Sequence, residues 1–298
     1  MMQYNPLGTS DLSVSEVSFG CMSLGSDDAA NAQLLHRAHD EGINYFDTAD
    51  IYHKGQNEIT VGKALAGRRD KVIIATKAGN VWRADGSGLD WNPSKEHILK
   101  SAEQSLKRLR TDYIDLYQLH GGTILDPIDE TIEAFEILVS HGKIRYYGIS
   151  SIRPNVIREY VERSNIVSVM MQYSLLDRRP EEECLELLHK NSISVLVRGS
   201  LASGLLIDKP AKSYLNYPEQ DVTKLVQAMK NVSQSKRSLT EIALNFALAP
   251  DAVASAVVGM RTEKQLNDVL EAASTLPLTA RELDALQVIP VNTYQDHR

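Results

Sequence analysis

Short apolar runs recur along this chain, each followed by a polar-faced stretch of helical length. Eight runs read as strands, at 17–20, 44–47, 72–77, 114–120, 146–150, 167–172, 194–198 and 256–259. Between them, apolar positions at helical spacing predict helices at about 28–41, 57–66, 93–110, 127–141, 153–163, 181–190, 239–249 and 262–273. Punctuation supports these limits. Asn92-Pro93 and Asp126-Pro127 put proline just inside a helix start, and Thr240-Glu241 and Thr262-Glu263 put an acid in the first turn. Gly142 stops the helix that ends at His141.

Strands that alternate with helices pair in parallel, because a parallel neighbour is reached only through a long crossover. Eight such units in 298 residues match a (β/α)8 TIM barrel, about 250 residues before insertions, read as a single domain over 1–298. An open doubly wound sheet is the alternative. Against it, the first strand exits through Phe19-Gly20-Cys21-Met22-Ser23, with no GxGxxG. Two segments stand outside the eight units. Residues 3–16 read as a hairpin around Pro6-Leu7-Gly8 that closes the barrel floor. Residues 205–236, after the seventh strand, read as a long insertion with its own short helix, one of the large loops expected at the C-terminal face.

Composition narrows the function classes. The chain is 43% hydrophobic and 24% charged, an ordinary globular profile, and its net charge is -7. That charge disfavours nucleic acid or an anionic membrane as partner, while leaving room for a local basic pocket. Two cysteines, Cys21 and Cys184, give neither a disulfide framework nor metal-ligand spacing, so no metal site is expected. The opening residues lack a secretory pattern, and no apolar stretch approaches the roughly 18 residues of a membrane helix. The expected location is cytoplasmic.

In a barrel, chemistry gathers at the carboxyl ends of the strands. Here the second strand ends in Asp47, the third in Lys77 and the fourth in His120, with Tyr52 on the loop after the second. Singly, each has an ordinary explanation: a turn cap, a solvated amine, a packed imidazole, a packed phenol. Together they suit protonation of an oxygen that gains negative charge, as when hydride adds to C=O. A nearby ammonium is expected to lower the pKa of Tyr52 and make it a usable acid. Asp47 supplies the ammonium's counter-charge, and His120 orients the carbonyl.

The stretch FDTADIY followed by GQNE, the strand ending ATK, LYQLH and GIS resemble, in order and over essentially the whole chain, the aldo-keto reductase family. The resemblance is strongest to the bacterial branch that is also similar to potassium-channel β-subunits. It implies a catalytic tetrad of Asp47, Tyr52, Lys77 and His120, with Tyr52 as acid/base. It also implies an NADPH cofactor (NADP when oxidised) stretched across the barrel mouth without a Rossmann fold. Ser150, Ser151 and Gln172 would hold the carboxamide, and Gly20, Cys21, Met22 and Asp47 would line the nicotinamide end. Arg198 stands where many relatives stack a tyrosine, so weak binding of the oxidised, cationic form is expected. Gly199, Ser200, Leu201, Ser203 and Gly204 would form the pyrophosphate loop with Lys209. Gly259, Met260 and Arg261 open the last helix, where Arg261 would meet the 2′-phosphate; Gln265 and Asp268 would lie beside the adenosine end. Tyr52, His53, Trp82 and His120 are expected around the substrate. The implied activity is reduction of aldehydes, with ketones as a second class, by a monomer. The alternatives are a non-catalytic NADP(H)-binding regulator and a metal-dependent barrel hydrolase. Such hydrolases carry a His-x-His pair after the first strand, and Cys21-Met22-Ser23 offers none.

Overall fold

A computed structural model describes residues 2–234 and 237–298, so positions 235 and 236, the end of the expected insertion, lie outside the described residues. In chain order the strands are β1 (Tyr4–Pro6), β2 (Ser13–Ser15), β3 (Val17–Gly20), β4 (Tyr45–Asp47), β5 (Ile73–Ala78) and β6 (Asn80–Trp82). They continue as β7 (Leu89–Trp91), β8 (Ile114–Leu119), β9 (Ile144–Ser150), β10 (Ser168–Gln172), β11 (Ser194–Arg198) and β12 (Val253–Gly259). Eight of them, β3, β4, β5 and β8 to β12, close a parallel barrel. The ring seals where β12 pairs with β3, Gly259 opposite Gly20. All eight expected strands are present, and the fold is a (β/α)8 barrel.

The helices are α1 (Asp28–Asp40), α2 (Gln56–Leu65), α3 (Lys95–Leu109), α4 (Ile128–Ser140), α5 (Pro154–Arg163), α6 (Cys184–Lys190), α7 (Glu219–Ser233), α8 (Leu239–Leu248), α9 (Glu263–Ala273) and α10 (Ala280–Ala285). Their apolar faces pack outside the barrel in one continuous core that includes Phe46, Ile74, Phe135, Tyr147 and Met229. Inside the barrel a second core joins Tyr45, Leu116, Met170 and Leu196 to Leu7, Leu12 and Val14 of the N-terminal hairpin. The β1–β2 hairpin therefore plugs the floor, as expected. Its turn fits only glycine at position 8, where φ is +57° and a Cβ would fall 2.2 Å from the Val167 carbonyl oxygen. Arg145 fastens the plug, bonding Asp11 of the turn and the buried Asp115 of β8, each at 2.9 Å.

Several local expectations need correction. Both helix-start prolines precede the first helical residue. In α3 the Ser94 hydroxyl takes the capping position and accepts from His97 N, and in α4 Pro127 itself is the cap. The insertion's helix is not short: α7 runs 15 residues because Val222, Leu225 and Met229 bury a full apolar stripe. The stretch between β5 and α3, where no element is expected, forms an antiparallel hairpin, β6 with β7. The six-residue α10 lies outside the expected helices, although Thr279 and Glu282 form its reciprocal cap. Beyond it the C-terminal segment returns over the barrel: Tyr294 N donates to Glu182, and Tyr294 Oη lies 3.8 Å from the buried Cys184 sulfur.

Candidate active site

The ends of β4, β5 and β8 bring the four expected side chains together. Asp47 closes β4, Lys77 is the penultimate residue of β5, and His120 follows the last residue of β8. Lys77 Nζ donates to Asp47 Oδ1 at 2.5 Å and to the Thr48 carbonyl at 2.7 Å, with both side chains almost wholly buried. Gln118 Nε2 approaches the other Asp47 oxygen at 3.4 Å. The ammonium sits 5.3 Å from the centre of the Tyr52 ring, and the His120 ring meets that ring edge-on at 5.9 Å. Beyond Tyr52 the chain turns back sharply through His53 and Lys54, both left-handed, at φ 48° and 55°. This reversal carries the chain from the Tyr52 loop into α2.

That helix does more than start after the loop. Asn57 accepts from Thr48 Oγ1 at 2.6 Å and donates to the Cys21 carbonyl at 2.8 Å, tying the exits of β3 and β4 together. Glu58, fully buried, accepts from Thr76 Oγ1 and Arg108 Nε, each at 2.6 Å. Close to it lies Asp50, one of whose carboxyl oxygens is buried without a partner among the described residues.

The electrostatics follow from burial. Burial lowers the Lys77 amine, but Asp47 and Tyr52 together outweigh it, so the group stays charged. Burial raises the Asp47 carboxyl, against the pull of Lys77. Tyr52 departs from expectation: burial raises its phenol and exceeds the lowering by Lys77, with Asp47 adding to the rise. The ammonium is already largely balanced by Asp47. His120 is pushed down to about 3 by burial, helped by Lys77 and Arg198, and is therefore neutral. Asp50 is raised to about 7, first by burial and then by the Glu58 charge, with Arg108 opposing.

A cavity of about 830 Å³ opens above these groups. Besides the four, it is lined by Gly20, Met22, Ser150, Ser151, Gln172, Arg198, Gly199, Ser203 and Gly259 of the expected set. Arg198 donates to Gln172 Oε1 at 3.0 Å, and Gln172 Nε2 donates to the Tyr214 hydroxyl at 3.1 Å. Ser200, Leu201 and Gly204 continue the Gly199 loop. Ala202 and Ser203 are left-handed there, and the amides of Ser200, Leu201 and Ser203 have no acceptor among the described residues. A Cβ at Gly204 would come 3.2 Å from Lys209 Cδ, so the lysine stem lies against this loop. Free amides in a tight left-handed turn, with an ammonium nearby, fit a phosphate.

Other expected residues stand apart from the cavity. Cys21 and Met260 are completely buried, backbone included, and neither lines the cavity. Arg261 lies exposed just before α9; its amide donates to Gln265 Oε1 at 2.9 Å, and Asp268 pairs with Lys264 at 2.8 Å. Gln265 and Asp268 therefore already have partners. His53 and Trp82 do not line the cavity. The left-handed turn places His53 in a separate groove near α1, and Trp82 Nε1 is held by the Ile51 carbonyl at 3.0 Å. The opposite strand of the hairpin supplies the wall instead, through Trp91, whose indole is anchored on Asp126 at 3.0 Å. Sequence reasoning also missed Asn80, Arg153, Tyr214 and His297, all of which line the cavity. None of the four belongs to a local motif.

Residues 16–289 match the model of the aldo/keto reductase family. Among curated proteins, the chain is 51% identical over 307 residues to the uncharacterized oxidoreductase YqkF of Bacillus subtilis, covering 100% of each. It is 36% identical over 234 residues to the NADH-specific methylglyoxal reductase of Escherichia coli, covering 72% of each. It is also 30% identical over 312 residues to a probable voltage-gated potassium channel subunit beta of Oryza sativa, covering 95% of this chain and 94% of that one. Among solved structures, the holo form of aldo-keto reductase AKR11C1 from Bacillus halodurans superposes with a TM-score of 0.94 at 50% identity, covering 100% of each chain.

Proposed function

The chain belongs to the aldo/keto reductase family, and from that premise we propose that it reduces aldehydes, and ketones of similar size, to alcohols with NADPH. The observation that carries this reading is the buried Asp47–Lys77 pair beside Tyr52, with a neutral His120 edge-on to the phenol. When bound, the nicotinamide supplies the hydride. Tyr52 holds the proton: burial keeps the phenol protonated at neutral pH, which is the form a reduction needs. As the carbonyl oxygen gains charge it takes that proton, and the Lys77 ammonium stabilises the phenolate left behind. Asp47 keeps Lys77 charged, and His120, as a neutral imidazole, orients the oxygen by a hydrogen bond.

Ser150, Ser151 and Gln172 would hold the carboxamide, and the amides of Ser200, Leu201 and Ser203 with Lys209 the pyrophosphate. The preference for NADPH rests on Arg261, just before α9, where a 2′-phosphate would find both the guanidinium and the helix start; the Escherichia coli relative is named NADH-specific. Arg198, against the nicotinamide, should repel the oxidised ring. Titrating NADPH and NADP+ into the wild type and Arg198→Tyr should show the variant narrowing the gap in Kd several-fold; an unchanged ratio counts against this role. No helix among the described residues is long and apolar enough to cross a membrane. A cytoplasmic monomer acting on small carbonyl compounds is part of the same proposal.

The relatives named as channel subunits suggest a second reading, a non-catalytic NADP(H)-binding regulator. The intact Asp47, Tyr52, Lys77 and His120 set favours the enzyme. Following NADPH absorbance with a panel of aldehydes decides between them. Tyr52→Phe should lower turnover by about a hundredfold or more while NADPH fluorescence titration still reports binding. Tight NADPH binding without wild-type turnover of any carbonyl would favour the regulator.

A further inference from the structure

Four side chains with a formal charge line the cavity: Asp47, Lys77, Arg153 and Arg198. Asp47 and Lys77 cancel, which leaves two guanidinium groups at the mouth of a chain whose net charge is -7. Neither arginine forms an ion pair among the described residues. Arg198 rests on Gln172, and Arg153 donates one N–H to the Gly122 carbonyl. Asp126, the acid of the same loop, is already occupied by Trp91 Nε1, Thr123 N and Thr123 Oγ1. Arg198 belongs to the cofactor side on the reading above. Arg153 does not, because its contact is with the loop that follows β8, on the His120 side of the cavity. Gly122 stands two residues after His120, a reach of at most about 7 Å. A guanidinium that lines a cavity, lacks a counter-charge and keeps spare N–H donors is a fork for a carboxylate.

We propose that Arg153 is a specificity-determining residue that binds the carboxylate of the substrate, which makes the substrate class short oxo acids carrying their carbonyl a few carbons from the acid. This deepens the carbonyl-reductase reading and rests on it. The carbonyl lies between Tyr52 and His120, the short chain runs along the Gly121–Gly122 loop, and the carboxylate meets the arginine. His297 lines the same cavity, and its carbonyl accepts from Asn155 N at 2.9 Å, two residues beyond Arg153. The C-terminal segment thus closes the wall next to the arginine and limits chain length on that side.

Steady-state kinetics with NADPH and matched probes test this: 4-oxobutanoate against butanal, and glyceraldehyde 3-phosphate against glyceraldehyde. The wild type should favour 4-oxobutanoate over butanal in kcat/KM by about tenfold to a hundredfold, the range of a charge-assisted hydrogen bond. Arg153→Met should erase most of that ratio through the KM of the acid rather than kcat, and Arg153→Lys should restore part of it. A ratio that is the same in wild type and Arg153→Met overturns the proposal. So does an equal loss on both probes, which would make Arg153 only a support for the Gly122 loop. A larger preference within the phosphate pair overturns the carboxylate assignment in favour of a phosphorylated substrate. Calorimetric titration of succinate into the NADPH-loaded protein separates this inference from the reaction beneath it. Binding lost in Arg153→Met, without turnover of any aldehyde, sinks the reductase reading and keeps the anion site; no binding and no turnover sinks both.

Discussion

Asp50 and Tyr52 stand two positions apart, yet only Tyr52 lines the cavity, while Asp50 faces the charges of Glu58 and Arg108. The folded chain holds the Asp50 proton up to about pH 7, whereas an unfolded aspartate releases it near pH 4. Between those values the folded state binds the extra proton, so this group's stabilisation is complete below about pH 4 and is lost as pH rises through about 7. Asp50→Asn keeps the shape and removes the charge. It should raise stability at pH 8 by on the order of 3 kcal/mol and change it little at pH 4, read from denaturant unfolding at the two values; equal effects at both would refute the assignment. Asp47, Tyr52, Lys77 and His120 were legible in the sequence because each residue type carries its chemistry to a strand end or the loop beyond it. Asp50 was not, because an acid in a turn-like stretch looks like a cap until α2 and α3 are packed over it. The direction of the Tyr52 shift was also illegible, since it depends on how deeply the phenol is buried.

At the scale of elements, all eight β/α units were legible, because apolar runs of strand length and amphipathic stretches alternate throughout. What failed was local. Strands of three residues leave too little pattern to reveal the β6–β7 hairpin, and an insertion's helix length depends on what its apolar stripe packs against. Close packing between helices was equally invisible. At Gly62 in α2, a Cβ would fall 2.5 Å from the Leu109 carbonyl oxygen and 2.6 Å from its Cα, whereas at Gly67 nothing lies within 4 Å. Helix propensity alone favours alanine at both positions. Gly62→Ala should nevertheless destabilise by about 1–3 kcal/mol as α2 and α3 are forced apart, while Gly67→Ala should be neutral or slightly stabilising. Melting temperatures of the two variants check the contrast, and similar shifts in both would mean that the helices are free to separate.

Across the whole molecule, three segments far apart in sequence converge on one mouth: Trp91 from the hairpin, Tyr214 from the insertion and His297 from the C-terminal segment. No single stretch of sequence could show this, because each position is set by a tertiary contact, such as the one between Asn155 N and the His297 carbonyl. The floor was legible for the opposite reason: Leu7, Leu12 and Val14 lie in one short hairpin whose apolar side has only the barrel bottom to cover it. The two cysteines report on the two kinds of construction. Both thiols are buried and pushed up by that burial, Cys184 to about 11, so neither supplies much thiolate while the fold is closed. Cys21 lies under Asn57 at the heart of the barrel rim, whereas Cys184 is the first residue of the seven-residue α6 and lies against Tyr294 of the C-terminal segment. Labelling with a thiol reagent thus becomes a clock with two hands. In mild denaturant Cys184 should be modified first, as the C-terminal segment lifts, and Cys21 only when the barrel opens. The two rates are separated by following Cys21→Ala and Cys184→Ala, and identical rates would mean that segment and barrel open together as one cooperative unit.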